Sequence, residues 1–434
     1  MRLSTESIYE TLIDEEDARA CADIPESACR ETPRNFVLIL VSQLLTKLGD
    51  AIASPKIVLP WVMSVVQAPV VFTGLLVPVR ESGSLIPQLA IGGWVRRFAI
   101  RKWFWVVGSV AQAACVVGMG LVALALDGVA AGAAILALLV VFSLARGVCS
   151  VASKDVIGKT VPKRRRGRLT GWATSFAGFA TVLVGVVLLL AQSGADGGSY
   201  YGSLLLLAGC LWLAGAVVFS RIAEFDGETD GGRNAVSDAI ARMSLLVTDA
   251  PFRRFVATRA LLLCSALSAP YYVLLAREQP GAADSLLGYF ILAAGIASLV
   301  SGPIWGRFAD RSSKRVMVGA ALISGSIGVA VFAAVELAPT VTAHPAFFPL
   351  AYFILSVAHD GARVGRKTYV VDLAGGNKRT DYVSVSNTVI GIVLLVAGLS
   401  GALSSVLEIS SIVLVLSLFG LAGAWLGTRL KAIE

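Results

Sequence analysis

The sequence predicts an all-α membrane protein with twelve transmembrane helices in two pseudo-symmetric six-helix bundles. Three observations predict it. The 434 residues are 56% hydrophobic and only 15% charged, with a mean hydropathy of +0.76; a soluble chain of this length carries far more charge. Apolar runs of about twenty residues recur along the chain, long enough to cross a hydrocarbon core as helices that satisfy their own backbone. These runs are continuous rather than alternating, which excludes a barrel. The chain also repeats itself at one constant offset, so the spans fall into two equivalent sets.

In order, the expected spans are 36–57, 66–92, 103–126, 132–153, 169–193 and 200–220, then 254–275, 283–305, 316–337, 346–367, 382–404 and 407–427. This gives an acidic cytosolic tail (1–35), an N-terminal six-helix bundle (36–220), a cytosolic linker (221–253) and a C-terminal six-helix bundle (254–434). Within the linker, Ile240, Met243, Leu246 and Val247 recur at helical spacing. That pattern reads as a short helix on the membrane surface, with a flexible linker as the alternative.

Basic residues lie mostly in alternate connections, among them Arg96, Arg97, Arg101 and Lys102, then Lys163 to Arg168, then Arg307, Arg311, Lys314 and Arg315. The intervening connections are nearly free of them, with Lys56 and Arg277 as exceptions. This positive-inside asymmetry predicts a cytoplasmic-membrane protein with both termini cytosolic. It also accounts for the pI near 9.3 without nucleic acid. No signal peptide is read at the acidic start. Cys115, Cys149, Cys210 and Cys264 read as small packing residues. Cys21 and Cys29, in a cytosolic tail, are not expected to form a disulfide. No metal site and no cofactor are expected. Trp61, Tyr271 and Tyr272 fall near outer span ends and read as interfacial aromatics. Gly171, Gly178 and Gly185 read as points of close helix contact.

The repeat offset is 213 residues: Gly93–Lys102 aligns with Gly306–Arg315, Ser143 with Ser356, and Lys154 with Lys367. Gly306-Arg-Phe-Ala-Asp310-Arg311-Ser-Ser-Lys314-Arg315 resembles the loop signature of the major facilitator superfamily of secondary transporters. Ser313 stands where that family usually has a second glycine, and in the first-half copy the aspartate position holds Arg97. The resemblance implies that Asp310 helps to close the cytosolic side against the opposite half. The same offset pairs Asp310 with Arg97 and Asp381 with Arg168 in sequence position. It thereby suggests two symmetry-related gate pairs, Asp310 with Arg168 and Arg97 with Asp381, with Arg311 beside them. The alternative is ordinary solvated loop charges, worth little as pairs. The fifth span lacks the Gly-Pro element of drug/proton antiporters, and Arg146-Gly147 only loosely resembles the family's arginine motif.

Ionisable residues sit inside four spans: Lys47 and Asp50, Arg80 and Glu81, Arg146, and the group His359, Asp360 and Arg363. A charge at the bilayer centre costs several kcal/mol and is a functional-site hypothesis by default. Lys47 and Asp50 share a helix face and can neutralise each other. Arg80 and Glu81 are about 100° apart around a helix, so each is expected to face another span. Pro78 and Gly83 flank them and suggest a local break. Arg366, Lys367, Lys154 and Asp155 read as anchors and gate residues at span ends. Cations outnumber carboxylates, which points to an anionic solute held by Arg80, Arg146, Arg363 and Lys47. Glu81, Asp50, Asp360 and His359 are the candidates for a coupling proton.

The expected function is therefore alternating-access transport of a small organic anion, coupled to protons, in contact with lipid and without nucleic acid. A drug/proton exporter, and a non-transporting sensor or lipid-handling protein on the same fold, are the alternatives. No nucleophile constellation and no GxxxxGK[ST] run supports an enzyme or direct ATP drive.

Overall fold

The computed structural model describes residues 5–12, 26–190, 197–227, 229, 243–279, 285–373 and 379–431. Among these, nine helical stretches are long and apolar enough to cross a bilayer. In the first half they are α2 (Glu26–Ile52), α6 (Lys102–Ala125), α7 (Gly128–Thr160), α8 (Lys163–Leu190) and α9 (Gly197–Ser220), which follow the short α1 (Thr5–Leu12). In the second half the stretch Ala250–Arg277 comprises α11 (Ala250–Leu261) and α12 (Cys264–Arg277), after the short α10 (Leu245–Thr248). It is followed by α13 (Ser285–Arg311), α14 (Ser313–Leu337) and, at the end, α18 (Ile409–Thr428).

Three further stretches complete twelve. The pair α4 (Val70–Leu85) and α5 (Gln88–Val95), and α16 (Phe347–Leu373) after the short α15 (Pro339–Thr342), carry interior charges that lower their hydropathy. In α17 (Arg379–Gly398) the apolar part is short, and a 3-10 segment, Leu399–Ser405, extends it.

The halves repeat the same packing. In the first, α6 packs on α7 and α9, α2 on α9, and α4 on α7. In the second, α14 packs on α16 and α18, α12 on α18, and α13 on α16. Two seams join the halves: α8 against α13, and α4 against α17.

Several local features differ from the sequence expectations. The first span is not 36–57: α2 starts at Glu26 and, after a turn at 53–57, continues as the buried α3 (Val58–Val65). Pro55 has no N–H to continue the ladder, and the Leu59 amide turns back to the Ser54 carbonyl at 2.9 Å. This early start places Cys29 in the first turn of α2, where it is disulfide-bonded, contrary to expectation. Cys210 is exposed rather than packed inside, while Cys115, Cys149 and Cys264 are buried. The break expected beside Pro78 is absent. The helix α4 runs through it, with the Ser82 hydroxyl donating to the Pro78 carbonyl, and the interruption comes at Ile86–Pro87. Trp61, Tyr271 and Tyr272 are fully buried rather than interfacial, because each lies on a span that continues past them. Of the linker residues, Leu246 and Val247 lie in α10, Met243 packs nearby, and Ile240 lies outside the described residues.

The α8–α13 seam is close on one side and parts on the other. On α8 and α13, a methyl at Gly178 would sit 2.9 Å from the Leu299 side chain, and one at Gly185 would sit 2.7 Å from the Leu292 nitrogen. Nearer the face with the basic connections, Gly171 and Gly302 have nothing within 4 Å of such a methyl. Gly171 therefore makes no close contact, because the two helices have diverged there. On the opposite face, Arg277 crosses the halves. Its Nε donates to Ser64 Oγ at 3.2 Å and its guanidinium lies 4.6 Å from the Trp61 ring centre.

The basic face of the first half is tied by a buried carboxylate. Glu224 accepts from the amides of Arg101 and Lys102 at the start of α6, and from Lys159 Nζ at 2.6 Å. Arg101 also pairs with Asp155 at 3.0 Å. Two orphan amides at a helix N-terminus are thereby satisfied by an anion that the helix dipole favours.

Candidate functional site

The interior charges gather around three cavities. The first, about 210 Å³, lies within the N-terminal half among α2, α6, α7 and α9, and Lys47, Asp50 and Arg146 line it. Asp50 is its electrostatic centre. One carboxylate oxygen accepts from Arg80 Nη2 at 2.9 Å and the other contacts Arg146 Nη1. Arg80 is buried, 4.8 Å from the centre of the Phe142 ring. Lys47 does not neutralise Asp50, as its shared helix face allowed. It donates instead to Thr174 Oγ1 on α8 at 3.0 Å.

The second cavity, about 220 Å³, lies between the halves. Ser54 and Lys56 from the turn between α2 and α3, and Thr181 from α8, face Ser265 from α12, Ser298 from α13, and Tyr352, His359, Asp360 and Arg363 from α16. The third, about 100 Å³, continues it through Lys56, His359 and Arg363 to Glu81 on α4 and Arg366 on α16. Asp360 accepts from Arg363 at 2.9 Å, one helical turn apart. Glu81 faces the charges of Lys56, Arg80 and Arg366. Arg80 and Glu81 thus point to different partners on other spans, as their angular separation requires.

Lys56 corrects the sequence reading, which placed it in an outer connection. Its Nζ lies 2.9 Å from His359 Nε2, and His359 Nδ1 lies 3.0 Å from Ser265 Oγ. Ser265 Oγ in turn donates to the Leu262 carbonyl at 3.0 Å. The signal was present as Ser54-Pro55-Lys56, a helix breaker followed by more apolar residues, but it read as the end of a span. Arg366, expected from the sequence to be an anchor, lines the cavity. Arg259 is buried and, among the described residues, donates to the neutral side chains of Ser386 and Asn387.

Six cations therefore converge on three carboxylates among the described residues: Lys47, Lys56, Arg80, Arg146, Arg363 and Arg366 against Asp50, Glu81 and Asp360. Arg97, Arg168 and Arg311 are exposed on the basic face. The side chains of their expected partners Asp310 and Asp381 lie outside the described residues. No group of three or more His, Cys, Asp or Glu that could hold a metal ion occurs among the described residues.

This architecture is that of a multi-pass membrane transporter fold, and comparison places it. Residues 255–432 match the profile of the Major Facilitator Superfamily. Among solved structures, the inward-open xylose transporter XylE from E. coli superposes with a TM-score of 0.67 at 12% identity, over 92% of this chain and 96% of that one. A POT family transporter in complex with 5-aminolevulinic acid gives 0.70 at 9% identity, over 94% and 98%. The nucleoside transporter NupG gives 0.67 at 13%, over 91% and 99%. No curated protein matches the sequence significantly. The second half thus matches the model of that family, and the whole chain shares the fold of these solved transporters.

Proposed function

We propose that the protein is a secondary transporter that moves a small organic anion across the cytoplasmic membrane by alternating access, coupled to protons. The observation that carries this reading is the surplus of interior cations around a cavity between the halves. An unpaired buried charge is strongly destabilising, so a solute that brings negative charge completes the site. Arg80, Arg146, Arg363 and Lys47 hold the anion in this reading, and Glu81, Asp50, Asp360 and His359 carry the proton. The basic face is cytosolic, and both termini lie there. The α8–α13 seam, close on the opposite face and parted on the basic one, then corresponds to an inward-facing state. The similar structures carry names of sugar, nucleoside and peptide transporters, and fold alone does not transfer a substrate.

A thermal-shift screen of the purified protein against organic anions, sugars, peptides and cationic drugs tests the substrate class. Anions are expected to raise Tm, since a ligand at about 100 times its Kd adds about 2.7 kcal/mol. Stabilisation by neutral or cationic compounds alone would refute the anion assignment. Proteoliposome uptake with and without a pH gradient then tests coupling, and an uptake indifferent to the gradient would remove the proton.

The gate is proposed as Asp310 with Arg168 and Arg97 with Asp381, paired when the cytosolic side closes, with Arg311 adjacent. Charge reversal at Arg97 or at Asp381 alone is expected to lower transport severalfold. Reversing both, as Arg97→Asp with Asp381→Arg, should restore most of it. A double variant no better than either single one would show that the two residues do not pair.

A further inference from the structure

The turn at 53–57 interrupts the first span and brings Lys56 to the boundary between the halves, beside the break at Leu262–Leu263 between α11 and α12. Lys56 is an ammonium and can only donate, so the atom it meets, His359 Nε2, must accept. The imidazole proton is then on Nδ1, where it donates to Ser265 Oγ at 3.0 Å, and the Ser265 hydroxyl donates its own hydrogen bond to the Leu262 carbonyl. Every donor in this chain has one acceptor, which fixes the tautomer of His359 and its neutral state. Around the ring, Asp360, Arg363, Arg366 and Tyr352 come from its own helix and Glu81 from α4; α12 and α13 contribute the hydroxyls of Ser265 and Ser298. Ile390 and Leu394 close the site from α17. Arg363 and Asp360 already hold each other. In the cavity between the halves, Lys56 is thus a cation whose bond goes to a neutral group that a solute can replace.

We propose that Lys56 is an anion-binding residue that passes between His359 and the solute, and that the solute's carboxylate and one proton bind together because of it. A carboxylate in the cavity draws the Lys56 ammonium off His359. The freed Nε2 lone pair takes a proton from the bulk solution, relayed by water in the cavity, while Nδ1–H keeps its hydrogen bond to Ser265. One negative charge and one positive charge enter the site, Lys56 stays charged throughout, and no bond other than hydrogen bonds is made or broken at the solute. Because Lys56 belongs to the N-terminal half and His359 to the C-terminal half, the exchange also releases a direct link between them. The inference rests on the transporter reading for its purpose, while the Lys56–His359 bond is testable without any solute.

Only two histidines exist in the chain, so His344→Gln leaves His359 as the single histidine. Nitrogen NMR of histidine-labelled protein at pH 6 then reads its tautomer directly. In the solute-free protein the ring is expected to be neutral, with the proton on Nδ1. In Lys56→Met, checked for folding by Tm and gel filtration, Nε2 is free and the ring should become doubly protonated. Succinate or inorganic phosphate, used as probes at a concentration that raises Tm, should produce the same doubly protonated ring in the protein with Lys56 intact. A conservative second variant, His359→Gln, keeps an acceptor for Lys56 and should bind the probe while losing the accompanying proton uptake. An unchanged His359 signal in Lys56→Met would overturn the proposal. So would a probe that raises Tm while His359 stays neutral. Should no anion raise Tm while the solute-free arms behave as expected, the anion assignment fails and the Lys56–His359 bond stands.

Discussion

Replacing Asp50 with asparagine is expected to cost about 3 kcal/mol of stability and to abolish transport. Removing one partner of a buried ion pair usually costs about 3–5 kcal/mol, because the other charge is left uncompensated. Here one carboxylate serves two guanidiniums, Arg80 at 2.9 Å and Arg146 in direct contact. The Asp50 side chain is 23% exposed to the cavity, so water offsets part of the loss and the lower end of that range applies. Asparagine keeps the shape and one acceptor but none of the charge, and Arg80 and Arg146 then repel each other. The measurement is the Tm of purified Asp50→Asn beside the double variant Asp50→Asn with Arg80→Gln. Removing the orphaned guanidinium should recover part of the lost stability, a non-additivity expected of groups in one network. If Asp50→Asn is as stable as the parent protein, Asp50 is not the counter-charge that holds these arginines, and the count of surplus cations changes with it.

The helical class and the repeat were legible because both rest on long-range statistics. Twenty apolar residues cross a bilayer whatever their neighbours do, and a constant offset at distant places survives small errors in span ends. The division of Arg80 and Glu81 between different partners was legible too, since it follows from helix geometry alone. Partner choice was not. Asp50 is one helical turn from Lys47, yet it takes Arg80 and Arg146, which approach from α4 and α7 through tertiary packing. Lys47 goes to a threonine on α8. Lys56 was misplaced for a different reason. Hydropathy reading ends a span at a proline and a charge, whereas here the helix resumes at Val58 and the charge sits inside. The same logic applied to Pro78 failed in the opposite direction, because α4 carries that proline without breaking. A proline marks where a helix can be interrupted; the packing around it decides whether it is.

Enlarging Gly401 to valine is expected to hold the protein away from the state described here and to reduce transport by more than tenfold, while leaving it folded and inserted. Gly401 lies in the 3-10 segment that extends α17, where that segment crosses α4. A methyl there would sit 2.8 Å from the Val71 carbonyl oxygen, with the backbone of Gly74 at 3.0 Å. Both obstacles are main chain, so no side-chain rotation relieves them, and α4 and α17 must separate on the face opposite the basic connections. Overpacking of this kind costs about 1–3 kcal/mol, and each 1.4 kcal/mol shifts an equilibrium about tenfold. Each half keeps its own internal packing, so the cost falls on the arrangement between halves rather than on folding. Ala269 lines the cavity between the halves, and a cysteine placed there reports which face reaches it. In a background lacking the exposed Cys210, a membrane-impermeant thiol reagent should reach Ala269→Cys from the basic face in the parent protein. With Gly401→Val it should react from the opposite face. Labelling from the basic face in both would mean that the α4–α17 seam does not control access, and the alternating-access reading would lose its structural basis.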